Sequence, residues 1–234
     1  MKNKKLIIPL ILLFIVLILV LSSYLYVNNY YKSINVDKYL VSNDQVKVIK
    51  ESNYYYFDGY GEETALIFYP GGKVEYTSYA PLLNNLATKG IDCYLIKMPY
   101  NLAILKKDAA DEVINNNYNN YYLAGHSLGG VTASLYQNDK INGYIFLAAY
   151  PNKEINKPIL LIRGDKDNIL KIDGYNKSKK NWKDYEEVII EGGNHSNFGN
   201  YGLQKGDNKS TISRKEQQDK TIEEILEFIS NNKE

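Results

Sequence analysis

The run Tyr122-Leu123-Ala124-Gly125-His126-Ser127-Leu128-Gly129-Gly130 constrains the fold more than any other part of the chain. It reads as a buried strand, then Gly-x-Ser-x-Gly, then the small-residue start of a helix. That context makes the pentapeptide a nucleophile elbow. The turn forces its serine into strained backbone geometry, so the residues two positions to either side must be small. Gly125 and Gly129 have no Cβ and leave that room. Ser127 then presents Oγ at the strand tip, and the Leu128 amide at the helix N-terminus points to where an oxyanion would develop. A Gly-rich turn with an inert serine is the bland alternative, and the flanking strand and helix argue against it.

A serine so placed needs a general base, and the chain has only two histidines. His126 lies inside the elbow and cannot fold back to Ser127 Oγ from a tight turn, so packing beside the elbow is its expected role. His195 follows the apolar strand Glu187-Val188-Ile189-Ile190 in a Gly-rich loop, free to come within hydrogen-bond reach of the serine. The segment Pro158-Ile159-Leu160-Leu161-Ile162-Arg163-Gly164-Asp165-Lys166-Asp167 is a buried-type strand ending in two aspartates, either of which could orient an imidazole. The Asp-x-Asp-Asn run lacks the later ligands of a calcium loop, so no metal is expected. Cys93, the single cysteine, sits mid-strand, can form no internal disulfide and reads as a buried structural thiol.

With these residues in place the sequence resembles the α/β-hydrolase superfamily over roughly residues 45–230. It is similar in particular to the small lidless group known as alpha/beta hydrolase fold-5. The segments that carry the likeness are Phe68-Tyr69-Pro70-Gly71-Gly72-Lys73-Val74, the elbow, and Gly192-Gly193-Asn194-His195-Ser196-Asn197-Phe198-Gly199-Asn200-Tyr201-Gly202. The resemblance implies a triad in chain order Ser127, Asp167, His195, with Asp165 shaping the turn. It also implies that the loop after residues 65–69 supplies the second oxyanion donor, by the Gly72 amide or, one residue on, that of Lys73. Pro70 stands where the commoner pattern has histidine. The loop lacks the Gly-Lys-Ser/Thr spacing of a phosphate-binding loop, and no cofactor is expected.

The N-terminus carries the second strong signal. Lys2, Lys4 and Lys5 precede residues 6–21, which hold no charge, and apolar character fades through Val27. As a helix, residues 6–27 span ~33 Å, enough to cross a hydrocarbon core. The basic flank predicts a cytoplasmic N-terminus and a single-pass protein with its domain on the extracytoplasmic side of the cell membrane. A cleaved signal peptide is the rival reading of residues 1–27. Residues 28–44, polar and rich in Tyr and Asn, read as a stalk before the domain at 45–234. A net charge of +1 leaves no footprint for nucleic acid.

Alternation fills the rest. Strands are expected at 46–50, 54–57, 65–69, 91–97, 120–124, 143–148, 158–163 and 185–191, and helices at 78–89, 103–115, 128–137, 173–181 and 215–231. This pattern predicts an α/β fold, a mostly parallel central sheet flanked by helices. Only nine residues, 149–157, separate the sixth and seventh strands, too short for a cap domain. The site should therefore be open, with Tyr150 on its rim and Phe198 and Tyr201 as one wall. Together these features lead to the expectation of a membrane-anchored serine hydrolase acting on small or medium esters. A non-catalytic surface protein on the same scaffold, or an acyltransferase or thioesterase with the same triad, is the alternative. Nothing in the sequence sets the oligomeric state.

Overall fold

Strands whose residues are apolar on both faces need cover on both faces, and the chain provides it by alternation. In the computed structural model, which describes residues 4–61, 63–114, 117–151 and 153–233, eight strands form one sheet. They are β1 (Lys47–Lys50), β2 (Tyr54–Asp58), β3 (Thr64–Tyr69), β4 (Asp92–Ile96), β5 (Asn120–His126), β6 (Ile141–Leu147), β7 (Ile159–Gly164) and β8 (Tyr185–Ile190), in spatial order β1-β2-β4-β3-β5-β6-β7-β8. β1 and β2 pair antiparallel and β2 joins β4 antiparallel, while every pair from β4 to β8 is parallel. All residues of β3 and β5 are buried.

Along β3 the side chains divide by parity between two cores. Leu66 and Phe68 enter one with α2 (Ala80–Ala87) and α5 (Arg214–Asn231). Ala65, Ile67 and Tyr69 enter the other with α3 (Leu128–Ala133) and α4 (Ile172–Ser178). Ile222, Ile225, Leu226 and Ile229 recur on α5 at the spacing of a core-facing stripe; three of them are buried and Leu226 is half-buried against the same core. Ser213 caps α5 by accepting the Glu216 N–H.

Two expectations are corrected. The helix expected at 103–115 (Asn115 lies outside the described residues) is replaced by short 3-10 turns at Pro99–Asn101, Ala103–Leu105 and Ala109–Glu112. The Tyr69 hydroxyl, projecting from β3, accepts the Ala110 N–H at 2.8 Å and donates to the Lys107 carbonyl at 2.9 Å. Those backbone groups would otherwise close helical turns. The second correction concerns the stalk. From Tyr31 the chain is part of the domain unit, 31–234. The Tyr31 N–H donates to the Lys73 carbonyl and the Glu75 N–H to the Tyr31 carbonyl. Ser33 donates its N–H and Oγ to Glu75 Oε2, the Ile34 N–H reaches the Asn200 carbonyl, and Val36 is buried.

A domain beginning at Asp37 should therefore be less stable than one beginning at Tyr31. Losing these five bonds costs roughly 5 kcal/mol at about 1 kcal/mol each, which is about 15 °C of melting temperature for a domain of this size. Thermal denaturation of the two chains checks it, and equal midpoints would restore the stalk reading.

The other unit, 1–30, contains α1 (Lys4–Asn28). Its segment Ile7–Asn28, 22 residues that include an 18-residue stretch of mean hydropathy 2.9, is long and apolar enough to cross a membrane. Of the basic flank, Lys2 lies outside the described residues.

Candidate active site

β5 delivers Ser127 into a backbone conformation that few residues adopt, φ 52 and ψ −122. Its N–H donates to the Leu147 carbonyl, which ties the elbow to β6. Close approach explains the glycines. An ideal Cβ on Gly125 would lie 2.5 Å from the Gly129 carbonyl carbon, and one on Gly129 only 2.1 Å from the Tyr69 carbonyl oxygen. Any side chain here would force backbones apart.

The two aspartates after β7 have different partners. Asp167 Oδ2 lies 2.8 Å from His195 Nδ1, both side chains almost wholly buried, while its Oδ1 accepts the Ile169 and Leu170 amides at 2.8 and 2.9 Å. Asp165 turns away. Its Oδ1 accepts the Gly192 N–H at 2.7 Å and its Oδ2 lies 3.1 Å from Lys166 Nζ. Burial opposes ionisation of Asp165, but Lys166 and the Gly192 amide outweigh it and hold the carboxyl below its ordinary value. Gly164 makes this juxtaposition possible, since a Cβ there would fall 2.2 Å from Gly193.

The loop bearing His195 is held on several sides. Gln217 of α5 accepts the Asn194 N–H and donates to the Asn194 carbonyl. Asp207 accepts the Ser196 N–H and hydroxyl. The remaining imidazole nitrogen, His195 Nε2, is buried and has no hydrogen-bond partner among the described residues. Ser127 and His195 line one cleft of about 290 Å³, walled by Val131, Ala148, Ala149, Tyr150, Ile169, Leu170 and Lys171 beside Leu128.

The oxyanion side can be sorted amide by amide. Pro70 has none. The Gly71 N–H donates to the Tyr79 hydroxyl at 3.0 Å, and the Lys73 N–H donates to the Asn101 carbonyl at 2.7 Å. Gly72 alone in this loop has an N–H without an acceptor among the described residues. It also packs directly on Leu128, whose Cδ2 would be 2.7 Å from a Gly72 Cβ. Leu128 opens α3, so its own amide has no intrahelical acceptor. The amide of Lys73, the alternative donor, is thus engaged by the Asn101 carbonyl.

Tyr150 lies on the cleft, as its position at the end of β6 suggests. Phe198 and Tyr201 do not. They are 0% and 3% exposed and pack in the core around the His126 ring, at centroid distances of 5.6 and 6.5 Å. The expected wall is supplied instead by Ile169, Leu170 and Lys171, two to four residues after Asp167. A carboxylate that must face the cleft brings the residues following it to the rim, and that was the available signal. Burial pushes the Cys93 thiol well up, and it lies outside the cleft lining.

Residues 65–219 match the model of the alpha/beta hydrolase family. Solved structures with a similar fold include Est1E from Butyrivibrio proteoclasticus with ferulic acid bound, 15% identical over 81% of this chain and 98% of that one, TM-score 0.56. A dienelactone hydrolase from Anabaena variabilis is 14% identical over 81% and 100%, TM-score 0.59. The esterase Est2 from Thermogutta terrifontis, with propionate bound, is 15% identical over 80% and 93%, TM-score 0.52. No curated protein matches the sequence. At these identities the structural likeness speaks to the fold.

Proposed function

Because the chain belongs to the alpha/beta hydrolase family, we propose that it is a serine hydrolase that cleaves small or medium carboxylic esters through an acyl-enzyme. Ser127 attacks the ester carbonyl as His195 Nε2 takes its proton, and Asp167 holds the imidazole in the tautomer that leaves Nε2 free to accept. The Leu128 and Gly72 amides receive the oxyanion. The protonated His195 returns its proton to the departing alcohol, and water, activated the same way, releases the acid. The observation that carries this reading is the 2.8 Å contact of His195 Nδ1 with Asp167, with a buried Nε2 left over on the cleft that Ser127 lines. Apolar walls and about 290 Å³ suit a short acyl or alcohol group, and two proteins of similar fold are esterases by name. The apolar span Ile7–Asn28 and the lysines before it support a single-pass anchor with the domain outside the cell membrane.

One experiment tests both parts. A membrane-impermeant fluorophosphonate added to intact cells should place one adduct on the full chain, read by intact mass, and none on Ser127→Ala. Labelling only after lysis would refute the topology, and no labelling of folded protein under either condition would sink the hydrolase reading.

A further inference from the structure

His126 is the buried titratable group that the proposed reaction does not use. Its ring is completely buried, yet both nitrogens are engaged. Nε2 lies 3.0 Å from the His195 backbone carbonyl and Nδ1 lies 2.8 Å from the Tyr79 hydroxyl. A carbonyl can only accept, so Nε2 carries the proton. Nδ1 of the neutral ring then accepts from the Tyr79 O–H, and the Tyr79 oxygen accepts the Gly71 N–H. Only this proton arrangement satisfies every donor and acceptor along the line. Burial first, and then the neighbouring His195, hold the His126 pKa well below its ordinary value, in keeping with a permanently neutral ring.

This line runs from His195 itself through His126, the residue before Ser127, to Gly71, the residue before Gly72. Phe198, Tyr201 and Tyr79 close around the ring, and the His195 imidazole lies 4.6 Å from it, centroid to centroid. We propose that His126 is a positioning residue that fixes the spacing of base, nucleophile and oxyanion loop through its two hydrogen bonds. This rests on the hydrolase reading above. Misplacement of reacting groups by about 1 Å costs on the order of 100-fold in rate, so loss of the line should appear in kcat and leave substrate binding little changed.

The test uses the full chain in detergent, with a short-chain p-nitrophenyl ester and kcat expressed per site titrated by fluorophosphonate. His126→Phe should lower kcat per titrated site roughly 30- to 100-fold with KM within about threefold. Tyr79→Phe should lower it roughly tenfold, and the double variant no further than His126→Phe alone, since both cut one line. His126→Gln, which offers one acceptor and one donor, should recover most of the loss. A merely structural histidine would lower the titrated fraction and the melting temperature while leaving kcat per site unchanged. Such a result, or a His126→Gln no better than His126→Phe, overturns the proposal. If His126→Phe does not fold, Tyr79→Phe decides, and unchanged kcat there overturns it equally. A parent protein that fluorophosphonate does not label overturns the hydrolase reading and this one together, whereas a labelled parent indifferent to these changes overturns this one alone.

Discussion

Asp167→Asn is expected to cut ester turnover roughly 10³- to 10⁴-fold, while Asp165→Asn should stay within a few-fold of the parent. The size of the first effect follows from what holds the carboxylate. Its Oδ1 accepts two backbone amides, from Ile169 and Leu170. An asparagine must keep its carbonyl oxygen at that position, because its NH₂ would otherwise meet two donors. The NH₂ is then turned to His195 Nδ1, 2.8 Å away in the parent. Facing a donor, Nδ1 must become the acceptor, which moves the ring proton to Nε2 and leaves no lone pair for the Ser127 hydroxyl. The fold survives and the base does not. At Asp165 the same change keeps an acceptor for the Gly192 amide and touches only an exposed contact with Lys166, of little energetic weight. Steady-state kinetics of the two variants, with titrated site concentrations, read the contrast. Equal losses, or an Asp167→Asn within tenfold of the parent, would remove Asp167 from the triad.

What the sequence reveals divides by range. The elbow is legible because its demands are local: a strand, small neighbours and a helix start within nine residues. His195 is legible by elimination, and the strand positions by apolar runs that need cover on both faces. The pairing of Asp167 with His195 is less so, since two aspartates follow one strand and a single residue of register chooses between them. That register is set by the approach of Gly164 to Gly193, 29 residues apart. The missing helix at 103–115 has the same origin. Its residues pass a local test for helix, but the Tyr69 hydroxyl, from another strand, takes the Ala110 amide and the Lys107 carbonyl. Residues 31–36 are polar enough to read as a stalk, yet their backbone finds partners at 73–75 and at Asn200. Nothing near them in the chain announces those partners. Phe198 and Tyr201 were expected at the cleft because they follow His195. They turn inward because the buried His126 ring needs apolar walls. The proposal of Gly72 over Lys73 as oxyanion donor draws on Asn101, whose carbonyl takes the Lys73 amide from a turn that the sequence does not mark.

Gly129→Ala should lower both stability and turnover, and the way it does so tests the oxyanion site. The added methyl would sit 2.1 Å from the Tyr69 carbonyl oxygen and 2.4 Å from that of Pro70. Both are backbone atoms, so neither can swing aside as a side chain tip would. The end of β3 and the loop that follows must move away from α3, at a cost of about 3 kcal/mol or more. The same movement carries the Gly72 amide away from the Leu128 amide, and two donors that no longer converge lose the stabilisation of one, roughly 100- to 1,000-fold in kcat. Two comparisons separate these effects. Gly143→Ala would press its methyl on the Tyr122 and Phe228 rings at 3.1 and 3.2 Å, in the core away from the cleft, so it should cost stability without lowering kcat per titrated site. Gly72→Ala keeps the amide itself and meets only the Leu128 side chain, at 2.7 Å from Cδ2, which can rotate, so its loss in kcat should be smaller than that of Gly129→Ala. Denaturation midpoints and kcat per titrated site for the three variants give the ranking. A folded Gly129→Ala with kcat within threefold of the parent would show that the Gly72 amide is not where the oxyanion binds.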